Sequence, residues 1–229
     1  MKKGFIIITV LLIFKSISFN QKKQSTCILE TQMRQNGLVD VQSLDPSILV
    51  DLKYATTDNF VKKNMYDCLK KAFLQAAIAQ KLKKASSILQ AKNPNYRLLV
   101  YDAARPLSCQ YKLWDALSYL PVKERETYVA NPSKKSIHNY GCAIDLTIAS
   151  ADGKALDMGT KYDYFGKLAY PKYENEYLKT GKLSSVQISN RKLLREIMKA
   201  SGFMSIEYEW WHFNGLSRKI ASQKYPIIE

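Results

Sequence analysis

Apolar and polar positions divide the chain into short strands and longer helices. Residues 48–54 (Ile-Leu-Val-Asp-Leu-Lys-Tyr) alternate and are rich in β-formers, which predicts a strand. Residues 55–60 follow as a loop. Over residues 67–90, Leu69, Phe73, Ala76, Ala77, Leu82 and Ile88 recur at helical spacing. Asn93-Pro94-Asn95 stops that helix. Residues 96–101 form a compact apolar strand, closed by Asp102-Ala103-Ala104-Arg105-Pro106. A helix is expected from about Pro106, carried by residues 107–119, since proline suits a first helical turn. A further short helix is expected within 121–130, and Asn131-Pro132 breaks the chain. Residues 141–148 read as a strand, and Asp152-Gly153 as a hairpin turn. Residues 157–185 read as a long loop rich in Tyr, Lys and Gly, a length more often functional than idle. The last clear helix is 187–201, with Leu193, Leu194, Ile197 and Met198 as its buried stripe. Residues 203–213 complete the pattern as a strand. Residues 21–45 are polar and mixed, a lead-in with little structure of its own. Strands and helices follow without regular βα alternation. The expected architecture is therefore α+β, a mostly antiparallel central sheet flanked by helices in one domain.

Composition adjusts this picture modestly. A chain of 229 residues, 46% hydrophobic, suits one folded domain with a substantial core. The net charge of +15 comes from lysines spread along the length, without a dominant basic block. It reads as a soluble, lysine-rich surface, and no nucleic-acid recognition motif accompanies it. Residues 1–20 look like an export signal: Lys2 and Lys3, an apolar run from Phe5 to Phe14, then a polar exit. The run is short for a bilayer span. The expectation is therefore a cleaved signal over 1–20, an exported, periplasmic domain over 21–229, and no stable membrane insertion after cleavage. The cleavage site lacks a clean small-x-small pair, so an uncleaved anchor is the competing reading. Cys27 lies too far from the apolar run, behind Gln24-Ser25-Thr26, to suit a lipid anchor. The four cysteines, Cys27, Cys68, Cys109 and Cys142, allow three full pairings, and sequence does not choose among them. No close CxxC pair exists to form a structural zinc site. Cys142 reads as a small buried residue or half of a disulfide. Oligomeric state is left open.

The chemistry concentrates in two stretches. The only two histidines are His138, seven residues before Asp145, and His212, three residues after Glu209. Two imidazoles and one carboxylate suffice to hold a catalytic zinc with one position open, and a second carboxylate can serve as base. This reading puts His138, Asp145 and His212 on the metal and Glu209 beside the attacking water. Each piece also has a plainer reading. A lone histidine is more often a satisfied polar residue. Glu209 and His212 share a face on a helix but oppose one another on a regular strand, so a strand over 203–213 needs a bulge, a twist or an early end. Arg105, at a strand's end, could steady an oxyanion or simply pair with Asp102.

Ser-x-His-x-x-Gly-x-Ala-x-Asp (Ser136 to Asp145) together with Glu-x-Trp-His (Glu209 to His212) resembles the signature pair of zinc D,D-peptidases, and more narrowly the D-Ala-D-Ala dipeptidases of the VanX type. The stretches Tyr54 to Phe60, Asp102 to Pro106, Asp157 to Asp163, Asn190-Arg191 with Leu193-Leu194, and Ser201-Gly202-Phe203 look like the same family, in its order. The resemblance covers roughly residues 48–215. It implies one zinc ion per chain on His138, Asp145 and His212. It implies that Glu209 takes a proton from the attacking water and passes it to the leaving amine, and that Arg105 stabilises the tetrahedral oxyanion. Ser136 and Asp163 would hold a small D,D-dipeptide, Asp163 near its ammonium, while Tyr54 and Asp102 line or brace the pocket. The implied activity is hydrolysis of D-alanyl-D-alanine in cell-wall peptide turnover. The alternatives are a zinc D,D-carboxypeptidase acting on peptidoglycan stems and a wall-binding module that keeps zinc without catalysis. Two departures stand out. Ala104 occupies a position where the family commonly has tyrosine. The loop after Asp163, with Tyr164, Tyr170, Tyr173 and Tyr177, departs from a stretch that often includes histidine.

Overall fold

The core of the molecule is a strand pair, β4 (Tyr96–Asp102) and β5 (Ala143–Ser150), buried on both faces. Burial on both faces explains their nearly unbroken apolar runs, Leu98 to Tyr101 and Ile144 to Ala149, interrupted by Asp145 and Thr147. This is a computed structural model, and it describes Met1 and residues 27–229. The expected export signal over 1–20 lies outside the described residues. Among the described residues no helix is long and apolar enough to cross a membrane.

Five strands form the central sheet in the order β2 (Leu49–Val50), β4, β5, β7 (His212–Asn214), β6 (Met204–Ser205). The β2–β4 pair is parallel and the other three are antiparallel, as the α+β reading expects. A second, two-stranded sheet pairs β1 (Leu38–Asp40) with β3 (Phe73–Gln75). Helix α3 (Ala76–Lys92) contacts β4, α7 (Ser185–Ala200) contacts β5, and the two helices contact each other. The buried stripe of α3 is Ile78, Ala79, Leu82, Ala85, Ser86 and Leu89, at three- and four-residue spacing. Asn93-Pro94 ends it. Helix α7 starts from a capping box in which the Ser184 hydroxyl accepts from the Gln187 N–H and the Gln187 side chain accepts from the Ser184 N–H. The shorter helices are α1 (Ile28–Gln35), α2 (Val41–Leu44), α4 (Leu107–Ala116), α5 (Val122–Arg125), α6 (Glu174–Lys179) and α8 (Arg218–Lys224).

Several local expectations change. Residues 28–44 are ordered, as α1, β1 and α2, because tertiary contacts rather than propensity hold them: Met33, Leu38 and Val41 are buried, and a Cys27–Cys68 disulfide ties α1 to the 56–72 segment. Cys109 and Cys142 are free and buried. The helix expected from residue 67 begins only at Ala76, since Phe73–Gln75 pairs as a strand with β1. Phe73 and Leu69 are buried as predicted, but not on a helix. The strand expected over 48–54 shrinks to β2, followed by a 3-10 turn at Lys53–Ala55. Residues 157–185 are irregular but include α6 and two further 3-10 turns. The strand expected over 203–213 is two strands, β6 and β7, with a turn between them that carries Glu209.

Candidate active site

Strand register builds one wall of the site. Asp102 of β4 is the cross-strand partner of Asp145 on β5, and Asp145 is the partner of His212 on β7. The three side chains therefore stand in a row across the sheet. An irregularity in the β4–β5 ladder between Val100 and Asp102 brings Asp102 into this register, the kind of distortion that re-aims side chains beside active sites. His138 enters from a 3-10 turn, Ile137–Tyr140, just before β5. Ser136 and Asn139 cap that turn reciprocally: the Ser136 hydroxyl accepts from the His138 N–H at 3.4 Å, and Asn139 Oδ1 accepts from the Ser136 N–H at 2.7 Å. Gly141 ends the turn at φ +64°, a left-handed backbone that suits glycine, and a Cβ there would stand 3.0 Å from the end of the Leu38 side chain, so a larger residue would be strained and would have to push Leu38 aside.

The three expected ligand groups converge. His138 Nε2 lies 3.3 Å from Asp145 Oδ1 and 3.2 Å from His212 Nδ1, and His212 Nδ1 lies 2.9 Å from Asp145 Oδ1. Tetrahedral ligands at zinc bond lengths stand about 3.3 Å from one another, so the spacing suits a small divalent ion. Each converging atom is aimed by a bond at the far side of its own group. The Ala103 carbonyl accepts from His138 Nδ1–H at 2.7 Å, which leaves Nε2 facing the centre. Asn214 Oδ1 accepts from His212 Nε2–H at 2.8 Å, which leaves Nδ1 facing it. Tyr162 donates its hydroxyl to Asp145 Oδ2 at 2.9 Å, which frees Oδ1. Tyr162 and Asn214 escaped the sequence reading. Asn214 carried a signal, being two residues beyond His212 on a strand and so on the same face. Tyr162 carried none beyond its place beside Asp163.

The electrostatics of the site follow from this crowding. Burial opposes the charge of Asp145, but His138 and His212 outweigh it and hold the carboxyl well below its usual range. Burial also opposes a charged His212. Its hydrogen bond to Asp145 and the nearby carboxylates win and raise it to about 9. Glu209 sits apart from the triad, Oε2 3.8 Å from His212 Nδ1. Burial raises its pKa, and His212 pulls it back only partly. A carboxylate so placed is a better proton acceptor than one in water.

Arg105 is fixed by Asp102 and Gln110. Its Nε donates to Asp102 Oδ2 at 2.9 Å and its Nη1 to Gln110 Oε1 at 2.9 Å, while Nη2 lies 3.8 Å from Asp145 Oδ2. The Asp102–Arg105 pair is thus real, and it also presents the guanidinium beside the His138–Asp145–His212 cluster. Asp102 is fully buried. It also accepts from the Tyr66 hydroxyl and, at 2.9 Å, from the Ala103 N–H. It braces Arg105 from behind. Tyr54 donates to Asp163 Oδ2 at 2.7 Å. Burial raises Asp163 well above the usual carboxylate range. The Tyr54 hydrogen bond opposes the shift, Asp145 adds to it, and Arg105 offsets it only in part. Asp163 also holds a left-handed backbone, φ +56°, of the kind that persists where surrounding structure imposes it and that concentrates at functional sites.

Tyr54, Arg105, Ser136, His138, Asp145, Asp163, Glu209 and His212 all line one cavity of about 460 Å³. Of the expected site residues, only Asp102 lies behind the wall. Ala104, at the position of the first departure, is buried in the core. Of the loop tyrosines, Tyr170 reaches the cavity.

Two histidines and one carboxylate placed so that they could hold a metal ion, with a separate carboxylate at the edge, on an α+β sheet, fit the metallopeptidase class to which the family match assigns the chain. The chain belongs to the D-Ala-D-Ala dipeptidase family of peptidases, whose model matches residues 34–228. It is 34% identical to a D-alanyl-D-alanine dipeptidase of Escherichia coli K12 over 176 residues, 77% of this chain and 83% of that one. It is 29% identical to the D-alanyl-D-alanine dipeptidase of Enterococcus faecalis over 84% of this chain and 95% of that one. An Enterococcus faecium protein of the same name is 32% identical, over 71% and 83%.

Proposed function

We propose that this protein is a zinc-dependent dipeptidase that hydrolyses D-alanyl-D-alanine outside the cytoplasm. The observation that carries the reading is the convergence of His138 Nε2, Asp145 Oδ1 and His212 Nδ1 in a cavity that also holds Glu209, Arg105 and Asp163. Two nitrogens and one oxygen are a donor set that suits zinc, which when bound supplies a Lewis acid that acidifies water and polarises the scissile carbonyl. Glu209 accepts a proton from the attacking water and returns it to the departing amine nitrogen as the C–N bond breaks. Arg105 holds its positive charge against burial because Asp102 lies against it, and it faces the side where negative charge grows on the carbonyl oxygen. Asp163 and Tyr54 receive the substrate ammonium. A carboxyl that burial disfavours as an anion gains most from an incoming cation. Ser136 contributes a polar wall beside His138.

Export is supported by the basic-then-apolar start of the chain and by the Cys27–Cys68 disulfide, a bond that persists in oxidising compartments such as the periplasm. The test of function is a direct comparison of free D-Ala-D-Ala with a muramyl pentapeptide ending in D-Ala-D-Ala. Cleavage of the dipeptide, with little or none of the pentapeptide, is the expected result. Release of D-alanine from the pentapeptide alone would assign the carboxypeptidase activity instead.

A further inference from the structure

The cavity wall carries two arginines, and the dipeptidase reading uses only one. The guanidinium of Arg105 is committed to Asp102 and Gln110. Arg218, the first residue of α8, stands exposed at the cavity's rim. Its Nη1 donates to the backbone carbonyls of Lys134, at 3.0 Å, and Lys135. Lys135 has a left-handed backbone, φ +60°, and leads straight into Ser136 and His138. The guanidinium is therefore pinned to the same loop that delivers His138 to the site. Its Nη2 and Nε have no protein partner among the described residues. Glu126, which lines the same cavity, accepts from Lys134 at 2.8 Å and Asn131 at 3.0 Å, both on Oε1, and forms no ion pair with Arg218 among the described residues.

A free dipeptide carries an ammonium at one end and a carboxylate at the other, with the scissile carbonyl between them. With that carbonyl at the His138–Asp145–His212 centre and the ammonium at Asp163, the carboxylate must meet the remaining wall. Among the described residues lining that wall, Arg105 is paired with a carboxylate and Arg218 is not. We infer that Arg218 is a specificity-determining residue that binds the free C-terminal carboxylate of the substrate through its unpartnered N–H groups. The assignment rests on the dipeptidase reading. It adds to it a reason for preferring a substrate whose second residue is the last.

The experiment measures KM and kcat of wild type, Arg218→Ala and Arg218→Lys on D-Ala-D-Ala and on its C-terminal amide, at low ionic strength and with metal content determined for each. Wild type should favour the acid over the amide by roughly tenfold in KM, the order expected of a charge-assisted bond at a partly exposed site. Arg218→Ala should raise KM for the acid by about the same factor, leave kcat within about twofold, and leave the amide unchanged. Arg218→Lys should restore part of the preference. A merely structural role would depress both substrates together or lower metal content, and either result overturns the assignment. Equal KM values for acid and amide in wild type overturn it alone. Failure of wild type to cleave either substrate overturns the dipeptidase reading and this assignment with it.

Discussion

Replacing Glu209 by glutamine should leave the metal bound and lower kcat by about 10²- to 10⁴-fold, the range that positioned proton transfer supplies. Glutamine keeps the size of the side chain and removes its ability to take a proton. Glu209 stands outside the triad, on the turn between β6 and β7, 3.8 Å from His212 Nδ1. The three ligand atoms keep their own supports, Ala103, Asn214 and Tyr162, when it changes. Turnover and metal content measured on the same preparation check this. Activity near wild type would remove Glu209 as the base, and loss of metal would make it a ligand.

His138→Ala should abolish metal binding at stoichiometric concentration and activity with it. His138 is buried at 2% exposure, and its Nε2 supplies one of three converging atoms. Two remaining ligands no longer define a tetrahedral corner, and the vacated space lies deep in the wall. Elemental analysis should find well under one metal ion per chain, against one in wild type. The pH dependence of metal uptake offers a second readout on wild type. The metal-free His212 holds its proton up to about pH 9, so below that pH the metal must displace it. Apparent affinity should fall about tenfold for each unit from pH 8 to pH 6. Asp145 adds no further cost in that window, since its pKa is depressed and it is already anionic.

The two stretches that converge at the site were legible because a pair of histidines, each beside a carboxylate, is a rare local pattern. The strands β4 and β5 were legible because burial on both faces writes an apolar run. What was not legible depended on partners distant in sequence. Phe73 has a spacing that suits a helix, yet backbone pairing with Asp40 makes it strand. Residues 28–44 look polar, yet Met33 and Val41 reach the core once Cys27 is tied to Cys68. The relation of Glu209 to His212 could not be decided from spacing, since a helix and a strand give opposite answers. The structure takes the early end that a strand there required: β6 stops at Ser205, and Glu209 lies on the turn before β7. Tyr162 appears as one more tyrosine in a loop until the fold sets its hydroxyl on Asp145.

Anomalous diffraction at the zinc edge, on crystals of the protein grown with one equivalent of zinc, tests most directly whether the three side chains share one ion. A single strong peak is expected about 2 Å from each of His138 Nε2, Asp145 Oδ1 and His212 Nδ1, with the Glu209 carboxylate facing the fourth position. A peak elsewhere, or none at these three side chains, would contradict a shared ion.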